Sequence, residues 1–198
     1  KLYINKGVNK NGIPVFKESA AKYGLDDSQR TRHAAFLDYD KDGDLDLFVL
    51  NQPPNPGNFS DLYGTKPSPE FSPRLYQNNG DTFIDVTTKA GLLKGGYPNS
   101  LSVSDLNNDG WPDIYIANDF EVPDFLYLNN GNGSFTDSMD SSMRHISYFS
   151  MGVDAADINN DGWQDLMVLD MVAEDNFRLK ANMSGMDPKA FWEVVENG

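Results

Sequence analysis

An all-β fold of repeated short antiparallel strands is what the sequence predicts, and three observations predict it. The segment Asp38-Tyr39-Asp40-Lys41-Asp42-Gly43-Asp44-Leu45-Asp46 recurs in register at Asp105 to Asp113 and at Asp157 to Asp165. Each copy runs into a short β-branched and aromatic stretch, Leu47 to Leu50, Ile114 to Ala117 and Leu166 to Leu169, the pattern of a buried strand. A phenylalanine (Phe16, Phe83 or Phe135) stands 22 residues before the first aspartate of every copy.

The loops come first because their chemistry is the most specific. The second reads Asp105-Leu106-Asn107-Asn108-Asp109-Gly110-Trp111-Pro112-Asp113, and the third Asp157-Ile158-Asn159-Asn160-Asp161-Gly162-Trp163-Gln164-Asp165. Positions 1, 3 and 5 carry Asp or Asn oxygens, position 6 is Gly and position 9 is Asp. Alternate residues of a tight loop point at one centre, and the Gly permits the sharp turn around it. Ca²⁺ takes six to eight hard oxygen ligands, so the expected side-chain ligands are Asp38, Asp40, Asp42 and Asp46, then Asp105, Asn107, Asp109 and Asp113, then Asp157, Asn159, Asp161 and Asp165. Position 7 (Asp44, Trp111, Trp163) varies in side chain, which suits a backbone carbonyl ligand. About three Ca²⁺ are expected, weighed against solvated Asp/Asn/Gly turns without metal.

An EF-hand opens the same way but needs a bidentate Glu at position 12 and flanking helices. Position 12 here is Val49, Ile116 and Val168, inside the strand-like runs, so that reading fails.

The strands before the loops follow from two further motifs. Leu2-Tyr3-Ile4-Asn5, Leu75-Tyr76-Gln77-Asn78-Asn79-Gly80 and Leu126-Tyr127-Leu128-Asn129-Asn130-Gly131 give one strand and a turn. An Asn-Gly pair between such runs favours a tight hairpin turn, since both residues tolerate positive φ. Phe16-Lys17-Glu18, Phe83-Ile84-Asp85 and Phe135-Thr136-Asp137 give the next strand, and Gly24-Leu25 and Gly91-Leu92 correspond in the connection that follows. Successive loops lie 67 and 52 residues apart, the longer interval holding a Pro-rich insertion over residues 52–73. That insertion reads equally as a partner-contacting loop or a tolerated surface excursion. Repeats of about 40–50 residues with about four strands are the mark of a β-propeller.

Leu-Tyr-x-Asn-Asn-Gly, Phe-x-Asp and Asp-x-Asn-x-Asp-Gly-x-x-Asp together resemble the FG-GAP/VCBS repeat of integrin alpha-chain propellers and many secreted bacterial proteins. The match extends to bacterial surface proteins resembling the cartilage acidic protein group, and covers residues 1 to about 175. The resemblance implies a calcium-clipped propeller outside the cytoplasm, at a cell surface, a bacterial outer membrane or in the periplasm. The chain begins inside one repeat and holds about three to four blades, so an open part of a ring from a longer protein is expected. Residues 176–198 read as a helical inter-blade insertion or the start of the next repeat: Asp187-Pro188 suits a helix start, and Ala190, Phe191, Val194 and Val195 give one apolar face.

Composition narrows the partners. The net charge is −14, and the three loops alone hold eleven aspartates, so three dications would leave about −8. Nucleic acid is disfavoured because phosphate neutralisation needs a cationic patch. No apolar run approaches the roughly 18 residues of a membrane helix. Catalysis finds little support: the chain has two histidines and no cysteine, so nucleophile–base pairs are scarce. His33 is read as strand entry, and His145 has no acid or nucleophile motif around it. Acids at Asp119, Glu121, Asp170, Glu174 and Asp175 follow the strands after loops two and three and read as solvated turns or a substrate rim. Trp111 and Trp163 read as inter-blade packing ahead of sugar stacking. The expected function is a protein- or polysaccharide-binding scaffold with structural calcium; the alternative is the propeller of an extracellular polysaccharide lyase or hydrolase.

Overall fold

Strand-forming residues in the expected runs build four antiparallel sheets in a computed structural model that describes residues 1–53, 72–119, 122–147 and 149–171. Most of the Pro-rich insertion, Glu121, Glu174, Asp175 and the expected helix over 176–198 lie outside the described residues.

Strands β1 (Tyr3–Val8) and β2 (Pro14–Glu18) form a two-stranded sheet, followed by a 3₁₀ turn at Ala21–Tyr23. A four-stranded sheet follows in sequence order: β3 (Arg30–Leu37), β4 (Asp46–Gln52), β5 (Arg74–Asn78) and β6 (Phe83–Asp85). After helix α1 (Thr87–Ala90), a second four-stranded sheet repeats the order with β7 (Pro98–Ser104), β8 (Asp113–Asn118), β9 (Phe125–Asn129) and β10 (Phe135–Asp137). Helix α2 (Met139–Ser142) leads to the last pair, β11 (Ser150–Ala156) and β12 (Asp165–Asp170). Two whole blades thus stand between two half-blades, and the described residues close no ring. The first strands β3, β7 and β11 pack side by side from blade to blade.

The loops join the first two strands of a blade, and all three lead into strands as expected. The regrouping is informative. In sequence, each Leu-Tyr and Phe-x-Asp pair precedes a loop; in space it pairs with the strand after the previous loop, as Phe48 opposite Leu75 and Tyr115 opposite Leu126 show. Sequence repeat and blade are therefore offset by half a unit.

The core sits between blades. Alternation along β4 sends Phe48 and Leu50 toward the next blade, where they join Leu75, Ile114, Ile116, Phe125 and Tyr127 in one cluster. The neighbours of Ile114 and Ile116 along the chain face the other way, and Tyr115, Leu126 and Met139 begin a second cluster that takes in Leu166 and Val168. Strand β8 is buried on both faces for this reason. The equivalent outward residue of β12, Met167, is 65% exposed because no described blade lies beyond it.

Turn chemistry differs from the simple Asn-Gly hairpin. Gly80 and Gly131 do adopt positive φ, but their Asn neighbours do not. Instead Asn5, Asn78 and Asn129 each accept the amide of the glycine two residues on, at 2.8, 2.9 and 2.9 Å. The side chain closes the turn, as an Asx-turn does. The acid of each Phe-x-Asp/Glu motif also accepts the amide two residues on, at the entry to the short helical turn: Glu18 from Ala20, Asp85 from Thr87 and Asp137 from Met139.

Candidate metal centre

Each acidic loop is wound by its own side chains. The position-1 aspartate accepts the glycine amide at position 6: Asp38 from Gly43 at 3.2 Å, Asp105 from Gly110 at 2.8 Å and Asp157 from Gly162 at 2.9 Å. The position-5 aspartate accepts the amide of position 7: Asp42 from Asp44, Asp109 from Trp111 and Asp161 from Trp163. These bonds need a positive-φ glycine at position 6, and Gly43, Gly110 and Gly162 have φ of 93°, 88° and 89°.

The position-9 aspartate ties the loop to its blade. One oxygen accepts the amide of position 2, as in Asp46 with Tyr39, Asp113 with Leu106 and Asp165 with Ile158. In the two whole blades the other oxygen accepts the amide of the Leu-Tyr motif's asparagine, Asn78 at 2.8 Å and Asn129 at 2.8 Å. Asp46 and Asp113 are fully buried. Burial pushes the Asp46 carboxyl up to about 6 and raises that of Asp113, against the two amides that hold each one charged.

The first loop differs from the other two at position 3. Asn107 donates from its amide to Asp109 at 2.9 Å, and Asn159 to Asp161 at 3.0 Å. With Asp40 in that place no such donor exists. Asp38, Asp40 and Asp42 bring one carboxylate oxygen each within 4.8 Å of one another. Asp40 receives Gln77 on one oxygen at 2.6 Å. Its other oxygen, and one of Asp38, are buried with no hydrogen-bond partner. Buried carboxylate oxygens without a donor are costly, and like charges at this range repel. A hard cation answers both defects, so this donor set fits Ca²⁺.

A family model for the FG-GAP-like repeat matches residues 58–116 and again 105–168. The chain belongs to the FG-GAP-like repeat family. Mouse integrin alpha-3 is 30% identical over 106 residues, 48% of this chain and 10% of that protein. Integrin alpha-3 of Cricetulus griseus matches to the same extent. Mouse cartilage acidic protein 1 is 33% identical over 84 residues, 42% of this chain and 13% of that protein. The chain thus spans about a tenth of the length of these relatives.

The FG-GAP-like repeats also account for residues whose role the sequence left bare. Tyr39, at position 2 of the first loop, stacks on Phe135 of the next blade with ring centroids 6.3 Å apart, and its carbonyl accepts from the Asn129 amide at 2.8 Å. Trp111 packs on its own blade's turn, its ring lying 2.9 Å from where a Cβ on Gly131 would sit, and Lys41 of the preceding blade covers it at 4.3 Å. Trp163 is exposed. His33 links two blades: its Nδ1 accepts the Leu101 amide of the adjacent blade at 3.2 Å. His145 is exposed.

Two polar links escaped the sequence reading. Each inner strand slips register at the same place, and in β7 the bulged residue Asn99 takes Gln52 from one side and donates to the Ser150 carbonyl on the other. Asp124, just before β9, is fully buried and accepts from Tyr115, the Asn118 amide and Ser150 of the next blade. Burial raises its carboxyl above the ordinary value. The signal for Asp124 in sequence was slight, an Asp beside Pro123 that reads as turn chemistry.

A cleft of about 190 Å³ between the first hairpin and the β3–β6 sheet is lined by Leu2, Leu25, Phe36, Leu47, Val49 and Tyr76 among others, and by no position of the acidic loops. Among the described residues no helix is long and apolar enough to cross a membrane.

Proposed function

We propose that this chain is a calcium-stabilised segment of an extracellular or cell-surface β-propeller that serves as an interaction scaffold, its calcium structural and its partner a protein. The Asp38/Asp40/Asp42 cluster, with two buried oxygens lacking any donor, carries the calcium reading. The ligands in the first loop would be Asp38, Asp40, Asp42 and Asp46, with the carbonyl of Asp44; the corresponding atoms are those of Asp105, Asn107, Asp109, Trp111 and Asp113, and of Asp157, Asn159, Asp161, Trp163 and Asp165. Calcium supplies positive charge at a point where the chain has only acceptors. The chain's own residues do the rest: position 6 turns the loop, position 9 clamps it to the Leu-Tyr strand, and position 2 keys it into the next blade.

The placement outside the cytoplasm is supported by the FG-GAP-like repeats and by the likeness to integrin alpha-3 and cartilage acidic protein 1. Membership in a repeat family shared with integrin alpha-3 and cartilage acidic protein 1 supports an interaction role over catalysis.

Calcium titration calorimetry on chelator-stripped protein, with parallel thermal melts, tests the proposal. About three sites and a melting temperature higher by several degrees are expected, because a ligand that binds only the folded state stabilises it by mass action. The loop of four acids is expected to bind at least as tightly as the others. Absence of binding in a protein that is demonstrably folded overturns the calcium reading.

A further inference from the structure

Among the described residues, three other than glycine have left-handed backbone: Lys41, Asn108 and Asn160, with φ of 58°, 56° and 60°. Each occupies position 4 of its loop, between the ligand positions 3 and 5. The left-handed turn is unfavourable for most residues with a Cβ and least so for Asn, and here it swings positions 3 and 5 toward one centre. Asp109 and Asp161, directly after the kink, donate their amides back to the loop's own Asp105 and Asn107, and Asp157 and Asn159. Position 4 therefore aims the ligands on both sides of it.

Its side chain, however, serves another loop. Asn108 donates from Nδ2 to the carbonyl of Gly162, position 6 of the third loop, at 2.9 Å. Lys41 places its Nζ 4.3 Å from the ring centre of Trp111, position 7 of the second loop. It also lies against Gly110, where a Cβ would stand 3.2 Å from that nitrogen. Two chemically unlike side chains thus make the same connection, from position 4 of one loop to positions 6 and 7 of the next.

We infer that the position-4 side chains couple calcium binding at neighbouring loops, so that a filled loop raises the affinity of the one before it; this rests on the calcium reading above. Gly162 donates to Asp157 and presents its carbonyl to Asn108, and calcium bound in the third loop would hold this turn wound. That bond holds Asn108 in the left-handed region, which keeps Asn107 and Asp109 aimed at the second centre. The same logic runs from the second loop to the first through Trp111 and Lys41. By linkage the effect is reciprocal, filling of the earlier loop favouring the later one equally.

The test reads one loop at a time. In a Trp163→Phe, Trp192→Phe background, Trp111 is the tryptophan left, and terbium luminescence excited at the red edge of tryptophan absorption, where Tyr39 of the first loop and the other tyrosines contribute little, reports the second loop. Asp157→Asn disables the third loop, and Asn108→Gly removes the connecting side chain while keeping a residue at ease with positive φ. With Asn108 present, Asp157→Asn is expected to weaken terbium at the second loop by about fivefold or more, the lower range of measured couplings. In the Asn108→Gly background the same change is expected to cost less than about twofold, since the connecting side chain that carries the coupling is gone. An effect absent in both backgrounds, or equal in both, overturns the inference while terbium and calcium binding remain. A role confined to blade packing would lower the melting temperature of Asn108→Gly equally with chelator and with calcium and leave the coupling intact. Loss of calcium and terbium binding at every loop of the folded parent overturns the calcium reading instead. Lys41→Gly with Asp105→Asn gives the independent arm for the first pair, read by calcium calorimetry of the first loop.

Discussion

At position 3 of the loops a single atom separates two electrostatic situations. Asn107 and Asn159 each turn an amide toward the position-5 aspartate, whereas Asp40 adds a second acceptor where a donor would satisfy its neighbours. Asp40→Asn is therefore expected to make the chelator-stripped protein more stable, by roughly 1 kcal/mol from the restored hydrogen bond, and to reduce the stabilisation that calcium adds. Urea unfolding with and without calcium checks both; a loss of stability in chelator counts against the repulsion argument. Asp124 is the other residue-scale lever. Its folded-state pKa is raised by burial, so the folded protein holds that proton more tightly than the unfolded chain does. Its contribution is full below about pH 4, the ordinary aspartate value, and declines as pH climbs through the raised folded value. The stability of the native protein relative to Asp124→Asn is expected to fall with rising pH over that window. Parallel pH profiles of the two proteins would refute it.

At the scale of the element, the hairpin after each Leu-Tyr strand is held by an asparagine side chain, and in the two whole blades the same residue presents its backbone amide to the loop's last aspartate. Asn129 does both and adds a bond to the Tyr39 carbonyl of the preceding blade. Its replacement by alanine leaves the Gly131 amide and that carbonyl without their partner, a cost of about 1–3 kcal/mol for each group that stays buried. Equilibrium denaturation is expected to show a loss of about 2 kcal/mol or more in Asn129→Ala, and a loss under about 0.5 kcal/mol would assign the tie to the backbone alone. The motif was legible in sequence as a turn, because Asn and Gly suit turns. Its job as the bolt between hairpin and metal loop was not legible, because the two partners are 16 residues apart and meet only through strand pairing. The hydrogen bonds that wind each acidic loop are local by contrast, since nine residues leave their side chains mostly near neighbours to meet.

Across the whole molecule, stability is built between blades rather than within them. Position 2 of each loop shows it: Tyr39 is buried against Phe135, Leu106 packs against the second cluster, and Ile158 is exposed where no described blade follows. Tyr39→Ala removes a buried aromatic and is expected to cost about 3–5 kcal/mol, visible as a lower urea midpoint with calcium held saturating. A change below about 1 kcal/mol would mean that the two blades do not unfold as one unit. The apolar runs Leu47 to Leu50 and its copies, the spacing of Phe16, Phe83 and Phe135 and the recurring acidic loops determined on their own that the chain is a repeated all-β array, because those patterns depend on strand-forming residues and on turns a few residues long. Which hairpin completes which blade, that the position-4 side chains reach the next loop, and that Asp124, Asn99 and His33 lace neighbouring blades were decided only in the tertiary structure. These depend on pairing between segments that the sequence pattern makes chemically equivalent, and only the packing of one blade face on the next distinguishes them.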